Sequence, residues 1–376
     1  MTDLSTTFRD SKNHYVILDG LRGIAAIMVV MFHILETFAI GDPYKQLVNH
    51  GYLAVDFFFM LSGFVIAYAY DDRWSTMSFK EFAKRRLIRL HPMIIMGMLV
   101  GAILFYFQDS PMFPPIADTP ILQMLLVTLI GFTLIPIPPS MDIRGWHEMH
   151  PLNGPAWSLF FEYVANILYA VVLRKLSNVI LGVLAVLSGI ALVHMALSTG
   201  GDVIGGWSLA PKQIWIGSVR LLYPFLAGML ISRLVKPGNI KNAFLYCTLI
   251  LVVALAMPRL GSPETEWMNG IYESAVILFI FPIVIYLGAS GTVSGKLKSF
   301  NKFLGDLSYP LYITHYTVVY TYMAWVTRNN VEINSTKNIL VASAVFIISI
   351  VLAYIIAKWY DAPVRKWLTN KFIGRS

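Results

Sequence analysis

Eleven stretches of roughly twenty mainly apolar residues recur along this 376-residue chain, near 17 to 38, 52 to 70, 92 to 107, 120 to 138, 154 to 173, 179 to 198, 213 to 232, 243 to 257, 270 to 288, 303 to 326 and 338 to 357. About 20 apolar residues in helical form cross a bilayer, and the helix satisfies its own backbone where lipid offers no hydrogen bonds. The pattern therefore predicts an all-α, polytopic transmembrane helix bundle. Composition excludes the alternative of a water-soluble domain: 57% of residues are hydrophobic and 13% charged, with a mean hydropathy of +0.64. Tyr52, Trp74, Trp146, Trp207, Trp267 and Trp367 stand near the ends of the stretches, where amphipathic rings favour the headgroup region.

One cysteine, Cys247, rules out an intramolecular disulfide and a multi-thiolate metal site, and no metal is expected. The net charge of +8 sits in loops between apolar runs, which reads as topology and not as a nucleic-acid footprint. Arg9 and Lys12 before the first stretch resemble the start of a signal peptide, but Asp19 and Arg22 interrupt the run and no small-residue cleavage site follows. A retained helix is expected.

Loop charge then decides the path. Basic residues gather at 71 to 91 (Arg73, Lys80, Lys84, Arg85, Arg86, Arg89), at Arg174 and Lys175, at Arg233, Lys236 and Lys241, at Lys296, Lys298 and Lys302, and from Lys358 to Arg375. All should face the cytoplasm. Eleven crossings cannot satisfy this, whereas ten can if the stretch 120 to 138, which ends in Pro136, Pro138 and Pro139, dips in without crossing. On that path 21 Lys and Arg lie inside and six outside, with Arg22 and Arg220 within spans. Both termini are expected in the cytoplasm, and the segment 108 to 153 is expected to be re-entrant or to cap a cavity.

Ionisable groups within spans are costly, by about 2.5 to 3.5 kcal/mol for a central Arg or Asp, and mark candidate functional positions. They are Asp19, Arg22, His33, Asp56, Glu162, Arg220, Asp306 and His315. Arg22 and His33, eleven residues apart, share one helix face with a rise of about 16 Å between them. Each has a plainer reading as well. Arg22 suits a snorkelling anchor, His33 a buried histidine bonded to a neighbouring helix, His315, alone on an aromatic helix, a structural histidine, and Asp56 and Glu162 a structural pair. Arg85, Arg86 and Arg89 suit a cytoplasmic charge marker.

The segment Asp19-Gly-Leu-Arg-Gly-Ile-Ala-Ala, with Arg22, ten intervening residues and His33, resembles the opening helix of the acyltransferase-3 family. Gly51 to Gly63, including Phe58-Phe59-x-x-Ser62-Gly63, is similar to its second-helix block, and Arg86-Leu-Ile-Arg89 to its cytoplasmic Arg-x-x-Arg. Trp157-Ser-Leu-Phe-Phe-Glu162, the block Leu304 to His315 and Tyr360-Asp-Ala-Pro363 continue the likeness in family order, with Asp361 where the family commonly has Glu. The resemblance implies a single integral membrane domain over residues 1–376, spanning from about 15 to 368, with no attached soluble domain. It implies an O-acyltransferase of the bacterial inner membrane that moves an acyl group, typically acetyl, from cytoplasmic acyl-CoA to a hydroxyl of a sugar, polysaccharide or glycolipid. Acetyl-CoA would be a donor substrate and no cofactor would be permanently bound.

Transfer from a thioester to a hydroxyl needs a proton acceptor and an oxyanion partner, and histidine suits the first role near neutral pH. His33 is the candidate base, with Asp56 or Glu162 as the group that orients its ring. A covalent acyl-His33 intermediate is a further chemical route. Arg86 and Arg89, with Arg85, suit the donor phosphates, because guanidinium binds phosphate bidentately. Arg22 would hold the donor's arm or polarise the carbonyl, and Ser62 beside Gly63 favours close helix approach or passage of the arm over nucleophilic catalysis. The competing reading is a transporter or acyl exporter with a buried Arg/His/Asp relay. The acceptor and the oligomeric state are not legible.

Overall fold

The computed structural model describes residues 14–39, 41–236 and 238–374. Arg9, Lys12 and Arg375 lie outside the described residues. Each apolar stretch becomes a helix: α1 Val16–Phe38, α2 Ala54–Tyr70, α3 Phe79–Leu104, α4 Ile121–Thr133, α5 Ala156–Val171, α6 Asn178–Ser198, α7 Pro211–Leu234, α8 Ala243–Ala256, α9 Trp267–Ala289, α10 Gly295–Arg328 and α11 Thr336–Phe372. Among the described residues no strand forms, only an isolated bridge between Ile240 and Gly291. Local chemistry sets several starts. Ser78, Ser177 and Ser335 cap α3, α6 and α11 by accepting the amide N–H three residues on, and Pro211 opens α7 where no N–H is needed.

Eight of these helices are long and apolar enough to cross a membrane; α10 is longer but carries more charge, and α4 and α8 are shorter. At 13 residues α4 extends about 20 Å, short of a bilayer core of about 30 Å. Helix directions decide its role better than length. α3 and α5 run antiparallel, with Arg86 against Glu162 and Phe82 against Tyr169, so the connection between them leaves and returns at the same end of the bundle. Had α4 passed through it, α3 and α5 would run parallel. The non-crossing expectation for 108 to 153 agrees with this geometry. The segment is tied to the second half of α10 instead: Gln108 donates to Thr317 O (3.0 Å), Asn153 to Ile313 O (2.6 Å), and the fully buried Arg144 lies 3.7 Å from the Tyr320 ring centroid.

α1 and α10 run side by side in parallel through the centre, and α1 buries residues in both of the bundle's hydrophobic cores. Their approach depends on small residues: a Cβ on Gly23 would stand 2.5 Å from Leu304 O, and one on Gly305 2.6 Å from Asp19 Cβ. The parallel pair α2 and α7 is equally close, since a Cβ on Gly63 would meet Phe225 O at 2.1 Å and one on Gly228 would meet Met60 O at 2.0 Å. The basic loops converge on one end of the bundle. Arg233 pairs with Asp71 (2.6 Å) and donates to Leu176 O, while Lys84 reaches Phe372 O.

Candidate active site

A cavity with about 850 Å³ of empty space, its open mouth included, lies among α1, α2, α3, α5 and α10. Its polar lining is Arg22, Ser62, Arg86, Arg89, Ser158, Glu162, Ser308, Tyr309 and Tyr312; Phe58 and Phe59 supply apolar wall. Three guanidiniums therefore face one space.

Arg22 is held by α10. Its Nε donates to Ser308 Oγ (2.7 Å) and its Nη2 to Gly305 O (3.1 Å), while Asp19 pairs with it at 3.2 Å. That is a fixed cation and not a snorkelling one. One turn apart on α3, Arg86 and Arg89 differ: Arg86 pairs with Glu162 at 2.9 Å, whereas Arg89 makes no hydrogen bond or salt bridge among the described residues. Arg85 turns away to Glu81 (2.9 Å) and does not line the cavity, unlike its two neighbours.

Glu162 joins three elements. Its Oε1 accepts from Ser62 Oγ (2.6 Å), from Arg86 Nη2 (2.9 Å) and from Asn166 Nδ2 (3.3 Å). The approach of α2 to its neighbour is carried by Gly63, so Ser62 is free to face the cavity.

Asp56 lies elsewhere. It is fully buried against Arg220, with Nη2 to Oδ2 at 2.6 Å and Nε to Oδ1 at 3.2 Å, and Arg220 also donates to Tyr52 O and Gly205 O. The expectation that Asp56 or Glu162 orients the His33 ring is not met, because both carboxylates are held by arginines. The partner of His33 is Glu36, one turn along α1, with Nδ1 to Oε2 at 3.2 Å. A carboxylate there keeps the proton on Nδ1 and leaves Nε2 able to accept one.

His33 stands beyond the cavity lining, stacked on His315 of α10 at 5.5 Å between centroids and edge-on to Tyr316 at 4.4 Å. His315, expected to stand apart on an aromatic helix, is thus the neighbour of His33. Its Nδ1 points to Leu311 O and Tyr312 O (3.1 and 2.8 Å), and its buried Nε2 has no hydrogen-bond partner among the described residues. Phe58 and Tyr312, both in the cavity lining, pack edge-to-face at 5.5 Å; Tyr312 lies 6.1 Å from His315 between ring centroids and is bonded to Ser158 (2.7 Å). Along α1 and α10 the order from one end is Arg22 with Ser308, then Tyr312, then His33 with His315.

Sequence reading missed Glu36, although a carboxylate in an apolar stretch was signal enough. It also missed Ser308, Tyr312 and the buried set of Arg144 and Glu148 from the loop with Tyr320 from α10, for the charges of a loop carry no such signal. In that set Tyr320 Oη donates to both Glu148 oxygens (2.7 and 2.6 Å), and burial raises the Glu148 carboxyl to about 7.

A family model described as an acyltransferase domain matches residues 15–358. Among curated proteins, the acyltransferase MdmB of Streptomyces mycarofaciens is 24% identical over 80% of this chain and 78% of its own length. A Staphylococcus aureus (strain COL) protein provisionally named an O-acetyltransferase is 25% identical over 80% of this chain, which spans half of that protein's length. Protein 2 in the picA locus of Rhizobium radiobacter is 36% identical over 42% of this chain and 81% of its own. No solved structure matches.

Proposed function

We propose that this chain, which belongs to the acyltransferase-3 family and is an integral membrane O-acyltransferase, takes an acetyl or related acyl group from cytoplasmic acyl-CoA. The acceptor is a hydroxyl of a sugar, polysaccharide or glycolipid at the far face. The observation that carries the reading is the line of groups along α1 and α10: a cavity with Arg22, Arg86 and Arg89 at one level and the His33–His315 stack at another.

Arg89, with no hydrogen bond or salt bridge among the described residues, suits a donor phosphate, and Arg86 can share one when it yields part of its hold on Glu162. Arg22, fixed by α10, suits the thioester carbonyl as charge develops on oxygen. His33, with its Nδ1 proton set by Glu36, takes the acceptor's hydroxyl proton. The basic end of the bundle is cytoplasmic by the charge rule, which puts both termini and the three arginines on the side where acyl-CoA resides. The membrane is the bacterial inner membrane, where such a donor and a surface glycan precursor meet. No permanently bound cofactor enters this scheme.

Membrane vesicles bearing the chain, given radiolabelled acetyl-CoA on the cytoplasmic face, test it. Label should appear as an alkali-labile ester in a glycan or glycolipid fraction, and not in vesicles lacking the chain. Label that crosses the membrane without forming an ester would refute the proposal.

A further inference from the structure

Ser62 departs from the behaviour of the other helical serines. The hydroxyls of Ser188, Ser218, Ser274, Ser308, Ser343 and Ser349 each bond a carbonyl three or four residues back in their own helix, the usual way a helix absorbs a serine. Ser62 instead gives its proton across to Glu162 Oε1 at 2.6 Å. The carboxylate is itself oriented by Arg86 and by Asn166, and serine and carboxylate both line the donor cavity with Arg22. A nucleophile within hydrogen-bond reach of a base, and a base oriented by a third group, is the arrangement of covalent catalysis.

From this geometry, and resting on the acyl-CoA reading above, we propose that Ser62 is a site of transient acylation and that transfer proceeds through an acyl-Ser62 ester. In the first half-reaction Ser62 Oγ bonds to the thioester carbonyl carbon while the proton passes to Glu162. The carbon–sulfur bond then breaks and the CoA thiolate departs into the cytoplasm. Arg22, whose Nη1 makes no hydrogen bond among the described residues, stands in the same cavity to meet the developing oxyanion. In the second half-reaction the acceptor oxygen attacks the ester carbon and gives its proton to His33. The bond to Oγ breaks and Glu162 returns its proton to Ser62. The sum is one new ester, one thiolate and one proton. Phe58 and Tyr312 belong to the lining of the donor cavity and His33 does not, so the acyl group has to pass from the cavity toward the imidazole. A carrier serine in that lining, one turn from Phe58, holds the acyl group after CoA has left.

The test incubates purified full-length chain with acetyl-CoA and no acceptor, quenches in acid and maps the adduct by peptide mass. The expected result is one acetyl group on Ser62, stable to neutral hydroxylamine as an oxyester is. Ser62→Cys should turn it into a hydroxylamine-labile thioester, a change of chemistry that needs a folded protein to be seen. Glu162→Gln should slow its formation by about 10². Acetyl mapped to His33 or elsewhere would overturn the proposal, as would Ser62→Ala that still esterifies acceptor in the vesicle assay. Wild-type chain that makes the acceptor ester but never an acetyl-enzyme would overturn the relay and leave the O-acyltransferase reading standing. Chain that makes neither from acetyl-CoA would overturn both the acetyl donor and the relay.

Discussion

Arg220 and Asp56 close on each other inside the bundle at 2.6 Å, from α7 and α2, with exposures of 2% and 0%. A buried pair of this kind stabilises little relative to an apolar pair, but removing one partner strands the other charge. Arg220→Met should therefore destabilise the protein by about 3 to 5 kcal/mol, and Asp56→Asn added to it should recover part of that loss. Thermal denaturation in detergent measures both. A single mutant as stable as the parent would show that the pair is not shielded as the structure has it.

The two cavity arginines should separate in kinetics. Arg89→Ala should raise the KM for acyl-CoA with kcat little changed, because a phosphate contact remote from the ester is uniform binding. Arg86→Ala should lower kcat as well, because it also releases Glu162. Identical profiles for the two mutants, or an unchanged KM in Arg89→Ala, would remove Arg89 from the donor site.

Much of this was legible in the residues. Every apolar stretch is a helix, and the loop charges together with Pro136, Pro138 and Pro139 singled out the one that does not cross the bundle. Arg22, Ser62, Arg86, Arg89 and Glu162 each stand out in the residues and line one cavity, but the sequence reading sets Glu162 beside His33 and not beside Arg86. Pairing was not legible. Asp56 and Glu162 are both carboxylates inside spans, and only three-dimensional packing decides that Arg220 takes one and Arg86 with Ser62 the other. Helix periodicity put Arg22 and His33 on one face, yet no one-dimensional pattern says that the facing helix offers Ser308 to the first and His315 to the second.

The connection between α3 and α5 should lie on one side of the membrane and the far end of α5 on the other. Ser140→Cys lies in that connection and Lys175→Cys just after α5, both exposed, while the native Cys247 is buried. A membrane-impermeant thiol reagent should label Ser140→Cys from outside and Lys175→Cys only from the cytoplasmic side. Labelling of both from one side contradicts the ten-crossing path.

Glu148 makes the cap sensitive to pH. Burial raises its carboxyl from the ordinary 4.5 to about 7, so the folded state holds this proton more tightly than the unfolded chain. The contribution is fully present below about pH 4.5 and is lost as pH rises through about 7. Thermal stability should fall across that window, and Glu148→Gln should flatten the fall. An unchanged slope in the mutant would place the titration elsewhere.

His33 bears the heaviest claim, that an imidazole beyond the donor cavity takes the acceptor's proton. His33→Gln keeps much of the ring's shape and can still bond Glu36, but it cannot accept the proton. Ester formation in vesicles from radiolabelled acetyl-CoA, at equal membrane abundance, should fall by about 10² to 10⁴. Near-wild-type ester formation by His33→Gln would contradict the assignment of His33 as the base.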